Sequence, residues 1–233
     1  VWVNQSGRAL FTDHIEYGDA QTIKNFVLRQ QAEDGSPNVW PQIFEIGLVY
    51  PDTIKVIQVN VNSRITEIKE AIGLQKPISV IYNYNGYGYG VFPIDPNNLD
   101  KTPEIKDEVA RAYSYINAYE NTLTGKITAV KAFDVFVKGI AVEQNELIVK
   151  LLSNQLSSIF WDFLTIKQQV VAQAELEQLL FNKLQTELPS NIKKTIFGLF
   201  ESIAYSKTGK EKLYQIWKDM IIRVYNHRKN HVS

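Results

Sequence analysis

The spacing of apolar residues changes once along the chain, near residue 95. Before that point apolar and polar residues alternate in short runs, separated by turn residues roughly every 8–12 positions. The predicted strands cover residues 10–17, 22–31, 40–50, 54–61, 65–72, 77–84 and 87–94. About seven short strands without intervening helices are typical of an antiparallel sandwich. We therefore predict an immunoglobulin-like antiparallel β-sandwich domain over residues 1–95.

After residue 95 the apolar period lengthens to about 3.6 residues, which indicates helices. A first helix is predicted to begin at Pro103 and to end at Gly125, with Val109, Ala112, Tyr113, Ile116 and Tyr119 along its apolar face. The later predicted helices cover residues 128–142, 144–164, 165–187, 192–205 and 211–226, with Lys207, Thr208 and Gly209 separating the last two. Short connections favour antiparallel neighbours, so residues 96–233 are predicted to form an all-α helical bundle or superhelix.

Composition and charge exclude several classes of protein. The 233 residues include 25 Lys and Arg and 25 Asp and Glu, and a net charge of zero lacks the basic surface with which proteins bind nucleic acid. The chain has no cysteine, which excludes disulfide scaffolds, cysteine-bound metals and thiol catalysis. No run of about 18 apolar residues occurs, so no membrane span is predicted. Residues 1–95 carry a charge of −3 and the remainder +3.

The beginning of the sequence is itself informative. Val1 is not an initiator methionine, and neither a basic region nor an apolar signal segment follows it. We therefore expect the chain to be a piece of a longer protein. Its localisation does not follow from any of these patterns.

Histidines are the first place to look for a metal site in a chain without cysteine. His227 and His231 have the i, i+4 spacing of the zinc motif H-E-x-x-H, but Arg228 occupies the position of the general base. We interpret this pair as the polar end of a helix. His14, near Asp13, is interpreted as a surface or edge residue because no nucleophile accompanies it. No catalytic, cofactor-binding or metal-binding residue is predicted in this chain.

The glycine-rich stretch from Asn85 to Gly90 could suggest a nucleotide-binding loop. Its G-x-G-x-G spacing matches neither known phosphate-binding loop, and a predicted strand follows where a helix should begin. We favour a structural role, in which Asn85-Gly86 forms a turn and Gly88 and Gly90 permit close packing.

Aromatic residues in the helical half recur at helical spacing. The pattern predicts a core or a seam between helices, formed by Phe133, Phe136, Phe160, Trp161 and Phe163. In the strand half, Trp2 and Trp40 would allow carbohydrate binding if their rings were exposed.

The order of several segments resembles the part of M1 family zinc aminopeptidases that follows the catalytic domain. The segments that resemble this family are Trp2-Val3-Asn4-Gln5-Ser6-Gly7, Phe26-Val27-Leu28-Arg29-Gln30-Gln31, Trp40-Pro41-Gln42, Phe44-Glu45-Ile46, Lys76-Pro77, Tyr82-Asn83, Gly86-Tyr87-Gly88-Tyr89-Gly90-Val91-Phe92, and Glu104 to Tyr119 with Asp107, Arg111 and Ala112. The resemblance covers the whole chain, and the order of the motifs carries it.

The resemblance implies a non-catalytic piece of a hydrolase. Members of the family bind zinc with H-E-x-x-H and a downstream Glu, and hold the substrate amine with G-x-M-E-N. Neither motif occurs in this chain, and its single methionine, Met220, is not followed by Glu-Asn. Zinc and catalysis would then belong to the parent metallopeptidase, and this chain alone would not be an enzyme. Its partners would be its own catalytic domain and, indirectly, peptide substrates. Because the family's helical domain is usually longer, the resemblance also implies truncation at the C-terminus.

Two alternatives stay open at this point. One is a stand-alone protein-interaction module that uses its helical surface to bind a partner. The other is a carbohydrate-binding β-sandwich with an attached helical domain.

Overall fold

The computed structural model describes residues 7–230, and the side chains of residues 7–219. An antiparallel β region of two small sheets precedes a helical region. The strands are β1 Ala9–Tyr17, β2 Ile23–Ala32, β3 Gln42–Val49, β4 Ile54–Val61, β5 Ile65–Glu67 and β6 Ser79–Tyr82. The helices are α1 Glu108–Leu123, α2 Ala129–Val142, α3 Glu146–Ser158, α4 Ile166–Leu184, α5 Ser190–Ile203 and α6 Lys207–Asn230. The predicted order of strands and then helices is confirmed.

By their contacts, residues fall into a first unit, 1–128, and a second unit, 129–233. Helix α1 therefore lies in the same unit as the strands. The predicted boundary between residues 95 and 96 falls between β6 and α1. As a domain boundary it stays a prediction.

Two three-stranded sheets make up the β region. Their strand orders are β1-β2-β5 and β4-β3-β6, with antiparallel pairing throughout. Alternate residues of both sheets contribute to one hydrophobic core, which holds Phe11 and Phe26 from the first sheet and Phe44 and Ile46 from the second. The Phe11 and Phe44 rings meet edge to face, with centroids 5.6 Å apart. The two sheets are thus joined through their inward-facing aromatic residues.

Two local interpretations of the strand half need correction. No strand forms from residue 87 to 94; this segment makes one isolated parallel bridge, between Val91 and Leu10. The adjacent apolar residues Val56 and Ile57 interrupt the alternation in β4 in a way that could indicate a bulge. No bulge forms, because β3 and β4 pair in unbroken register along their whole length. Ile57 faces the core in phase with the buried Val59 and Val61, and the apparent slip arises because Val56 is apolar but 43% exposed.

The predicted apolar face of α1 was also wrong. Its buried residues are Ala110, Tyr115, Ala118, Asn121 and Thr122, whereas Val109 is 48% exposed. Asp107 caps the beginning of the helix, where its carboxylate accepts a hydrogen bond from the Ala110 amide. The buried face thus includes two polar residues that hydrophobicity alone excludes.

In the second unit, α3 packs against α2 and α5, and α4 packs against α2 and α5. A π-helical turn, Ile159–Phe163, extends α3, and α4 begins with a capping box formed by Thr165 and Gln168. The described part of the chain contains no helix long and apolar enough to cross a bilayer.

Buried Tyr82 makes the stability of the first unit depend on pH. Its hydroxyl donates to Asp13 Oδ2 at 2.7 Å, and burial, reinforced by the Asp13 charge, raises the pKa of Tyr82 well above its usual value. Above about pH 10 the unfolded chain therefore loses the phenolic proton before the folded chain does. Stability contributed by the protonated hydroxyl is complete below that pH and is lost as the pH rises.

We expect Tyr82→Phe to weaken the decline in the free energy of unfolding between pH 9 and 11. At neutral pH the variant should be less stable by about 1 kcal/mol, because the hydrogen bond from the Tyr82 hydroxyl to the exposed Asp13 carboxylate is lost. Urea unfolding across this pH range tests both effects, with Tyr87→Phe as the control because Tyr87 is 77% exposed. Equal pH dependence in Tyr82→Phe and the unmodified protein would contradict the assignment.

Candidate functional site

The segment from Gly88 to Pro93 bonds a strand only at Val91, whose amide and carbonyl pair with Ala9 and Phe11 of β1. Amide side chains bond residues on both sides of Val91. Gln42 accepts from the Tyr89 amide at 2.7 Å and donates to the Tyr89 carbonyl at 3.1 Å. Asn83 does the same for Gly88, at 2.6 and 3.0 Å. Each amide group thus imitates one residue of a neighbouring strand, since it offers one acceptor and one donor.

Helix α1 bonds the end of the same segment. Asn117 accepts from the Phe92 amide at 2.9 Å and donates to the Pro93 carbonyl at 3.2 Å. Asn121, a turn further along, donates to the Phe92 carbonyl at 3.0 Å. The polar residues of the buried helix face therefore attach α1 to the segment.

The glycines of this region let neighbouring groups come close. A Cβ on Gly86 would lie 2.2 Å from the Tyr113 ring, and one on Gly88 would lie 2.7 Å from Phe92. Gly90 has a φ of +145°, and its Cβ would lie 2.5 Å from the Ala9 carbonyl oxygen. These distances support the structural interpretation of the glycine-rich stretch over a nucleotide loop.

A second polar contact joins two of the family-like motifs. The Trp40 amide donates to Gln30 Oε1 at 2.9 Å, and Gln30 Nε2 donates to the Ser63 carbonyl at 3.0 Å. The Trp40 side chain is 1% exposed, so it cannot stack on a sugar ring. Trp2, the other tryptophan considered for carbohydrate binding, lies outside the described residues, as does the motif from Trp2 to Ser6.

A groove of about 700 Å³ lies in the first unit, beside β6. One wall combines β6 with the β3–β4 turn, and the other comes from residues 93–106 and from Ser114 and Asn117 in the middle of α1. Its apolar lining includes Val49, Ile54, Ile81, Ile94 and Ile105, and its charged lining comprises Asp52, Asp95, Glu104, Lys101 and Lys106. The volume falls within the range of ligand-binding clefts.

The histidines do not form a metal site in the described part of the chain. His14 is exposed and lies 3.0 Å from Glu16 Oε1, and the His227 and His231 side chains are outside the described residues. Among residues with described side chains, no group of three His, Asp or Glu residues is placed to hold a metal ion.

One buried and one half-buried charged group of the second unit bond helix ends. Glu177 of α4 is 3% exposed and accepts hydrogen bonds from Gln173, from Ser206 Oγ at 2.5 Å and from the Ser206 amide at 3.2 Å. Its carboxylate lies at the start of α6, where free amides and the helix dipole favour negative charge. This explains why α6 begins at Lys207, although Lys207–Gly209 was predicted to be a break.

Lys183 of α4 bonds the C-terminal end of α2. Its Nζ donates to the Ala141 and Glu143 carbonyls, at 2.9 and 3.2 Å, just where α2 ends. Burial lowers the pKa of Lys183, although the Glu143 carboxylate opposes that effect. Glu177 and Lys183 therefore have the same kind of role, because each bonds backbone groups at the end of a neighbouring helix.

The aromatic residues of the helical half are only partly buried. Phe133, Phe136 and Phe160 are core residues as predicted, but Trp161 and Phe163 are 45% and 40% exposed. The Trp161 ring lies 5.5 Å from that of Tyr205, which is 38% exposed. A partly exposed aromatic pair thus marks the end of the π-helical turn.

Neither a family model nor a curated protein matches the chain.

The bonding roles of Gln42, Asn83, Asn117 and Asn121 were missed from the sequence. Three of these residues, Gln42, Asn83 and Asn117, lie inside the segments that resemble the family, but no bonding role was predicted for them. The available signal was an amide residue in an apolar setting, as in Tyr82-Asn83, because a buried amide must find hydrogen-bond partners.

The close approach at Gly90 gives a direct test of this arrangement. We expect Gly90→Ala to cost at least 2 kcal/mol more in unfolding free energy than Gly35→Ala, because its methyl group would collide with the Ala9 backbone. Gly35 is the matched control, since it also has positive φ, +74°, but has open space around its Cβ position. Urea unfolding of both variants measures the difference, and equal costs would contradict the close packing.

Proposed function

We propose that this chain is the non-catalytic C-terminal region of a zinc aminopeptidase of the M1 family. In this proposal the two sheets form an immunoglobulin-like sandwich and the helices form a bundle or superhelix. Both pack on the catalytic domain of the parent protein and shape or close its peptide-binding cavity. Zinc and the catalytic residues belong to that domain, and we assign none of them to this chain.

The observation that carries the proposal is the role of the motif residues. Gln30, Trp40, Gln42 and Asn83 are buried, and they make the hydrogen bonds that hold the first unit together. Gly86, Gly88 and Gly90 are in close contact with neighbouring residues. A resemblance by chance would fall on residues of any kind, whereas these are the residues on which the fold of this unit depends.

A second observation supports a role in covering another domain. The second unit exposes large apolar side chains, among them Trp161, Ile166, Val170 and Val171, with exposed fractions of 45–80%. Partly exposed aromatic and aliphatic groups are suited to burial against a partner. The same surface would serve the alternative function, a stand-alone protein-interaction module. Carbohydrate binding loses one of its two supporting residues, because Trp40 is buried.

The coding sequence upstream of Val1 provides the first test. We expect it to encode H-E-x-x-H, a downstream zinc-binding Glu and G-x-M-E-N in one reading frame with this chain. An upstream region without these motifs would reject the proposal and leave the interaction module. This chain, assayed alone with added zinc, should hydrolyse no aminopeptide substrate, and zinc-dependent turnover would also reject it.

The upstream catalytic region also allows a binding test. Mixed with this chain, it should form a complex that Trp161→Ala and Val170→Asp weaken by tenfold or more. Tyr87→Ala is the control, because Tyr87 is a 77% exposed aromatic residue of the first unit. Calorimetry measures the affinities, and circular dichroism checks that each variant folds. Failure of the unmodified chain to bind would contradict the proposed packing.

A further inference from the structure

Strand β6 is bonded along one edge only. The β3–β4 turn closes with a hydrogen bond from the Tyr50 amide to the Thr53 carbonyl at 2.8 Å, so the even-numbered residues of β3 bond β4 and the odd-numbered ones face β6. Gly47 lies opposite Ile81 and Val49 opposite Ser79. The Ile78 amide donates to the Val49 carbonyl at 2.8 Å, and Ile81 lies opposite Gly47 at a position that bonds β3. The backbone N–H and C=O of Val80, which lies opposite the even-numbered Leu48, therefore point to the other side.

That free edge faces the groove. The Val80 side chain packs against the hydrophobic core, and the Tyr82 side chain is 6% exposed within it, yet both residues line the groove. What they present to the groove is consequently their backbone. In the described part of the chain, the register directs the Val80 amide and carbonyl away from β3, and no turn, loop or side-chain hydrogen bond reaches them. Further along, Asn98 Nδ2 donates to the Ile78 carbonyl at 3.4 Å, and there the two walls meet.

We propose that this groove binds an extended peptide segment with basic side chains, added as a strand to the free edge of β6. A strand supplies N–H and C=O groups at the spacing of Val80 and Tyr82, and edge addition of this kind is a common form of peptide recognition. The apolar lining accepts every second side chain of the peptide. The inference goes beyond the proposed function and does not depend on it.

Charge decides the kind of peptide. The groove is lined by three carboxylates, from Asp52, Asp95 and Glu104, and by two lysines. Residues 1–128 carry 11 Lys and Arg against 15 Asp and Glu, a net charge of −4. A segment flanked by lysine or arginine is therefore favoured over an acidic one, most clearly at low salt.

The probe is a capped peptide, Ac-Lys-Thr-Val-Thr-Val-Lys-NH2, together with versions N-methylated at alternate residues. Because a strand presents alternate amides to its neighbour, one alternating set of N-methyl groups should weaken binding to the full chain by tenfold or more, and the other set should not. A version flanked by Glu should bind at least threefold more weakly at low salt. Equal affinity of the two N-methylated sets, or no binding of the parent peptide at millimolar concentration, would overturn the proposal.

The protein-side test is Val80→Pro, which removes the free N–H without touching a bond to β3. Val56→Pro is the matched control, since Val56 lies on edge strand β4 and its amide also points away from β3. We expect Val80→Pro to weaken binding of the peptide by tenfold or more and Val56→Pro to leave the affinity unchanged. In the unmodified protein, bound peptide should slow hydrogen exchange at the Val80 amide. If Val80→Pro does not fold, the exchange measurement and the N-methylated peptides decide the question. Unchanged binding by folded Val80→Pro would overturn the proposal, as would a self-association of the chain that uses this edge.

Discussion

The first unit depends on how the backbone of residues 88–93 is hydrogen-bonded. A buried amide or carbonyl without a partner costs about 1–3 kcal/mol, and this segment has no sheet neighbour along most of its length. Gln42, Asn83, Asn117 and Asn121 supply the missing partners. Once these bonds form, Gly90 comes within contact of the Ala9 backbone and Phe92 stacks on Phe11, with ring centroids 4.8 Å apart.

The same requirement explains why α1 lies in the strand unit. Its amide residues bond Phe92 and Pro93, its Tyr113 ring covers Gly86, and Glu120 pairs with Arg8 beside β1. A helix with only an apolar face could bury surface against the strands, but it could not bond a bare backbone segment. The second unit solves a comparable problem with charged groups, because Glu177 bonds the beginning of α6. In both units, polar side chains complete hydrogen bonding that secondary structure leaves unfinished.

Patterns of hydrophobicity predicted most of the elements because they report which face of a strand or helix is buried. They identified β1 to β4 and the helices within a few residues. They failed where hydrogen bonding overrides hydrophobicity: residues 87–94 alternate like a strand but have side-chain partners, and α1 buries Asn121 while exposing Val109. They also missed the groove, because its free edge depends on the register of β6 against β3, and register does not follow from the pattern of one strand. The family resemblance stays a prediction.

Native-state hydrogen exchange at Gly88, Tyr89 and Phe92 tests the central claim most directly. These amides donate to Asn83, Gln42 and Asn117 side chains, so they should exchange only on opening of the whole unit, with protection equal to that of the core strand amides of β2 and β3. Exchange at the rate of an exposed loop, while β2 and β3 remain protected, would show that the amide side chains do not hold this segment.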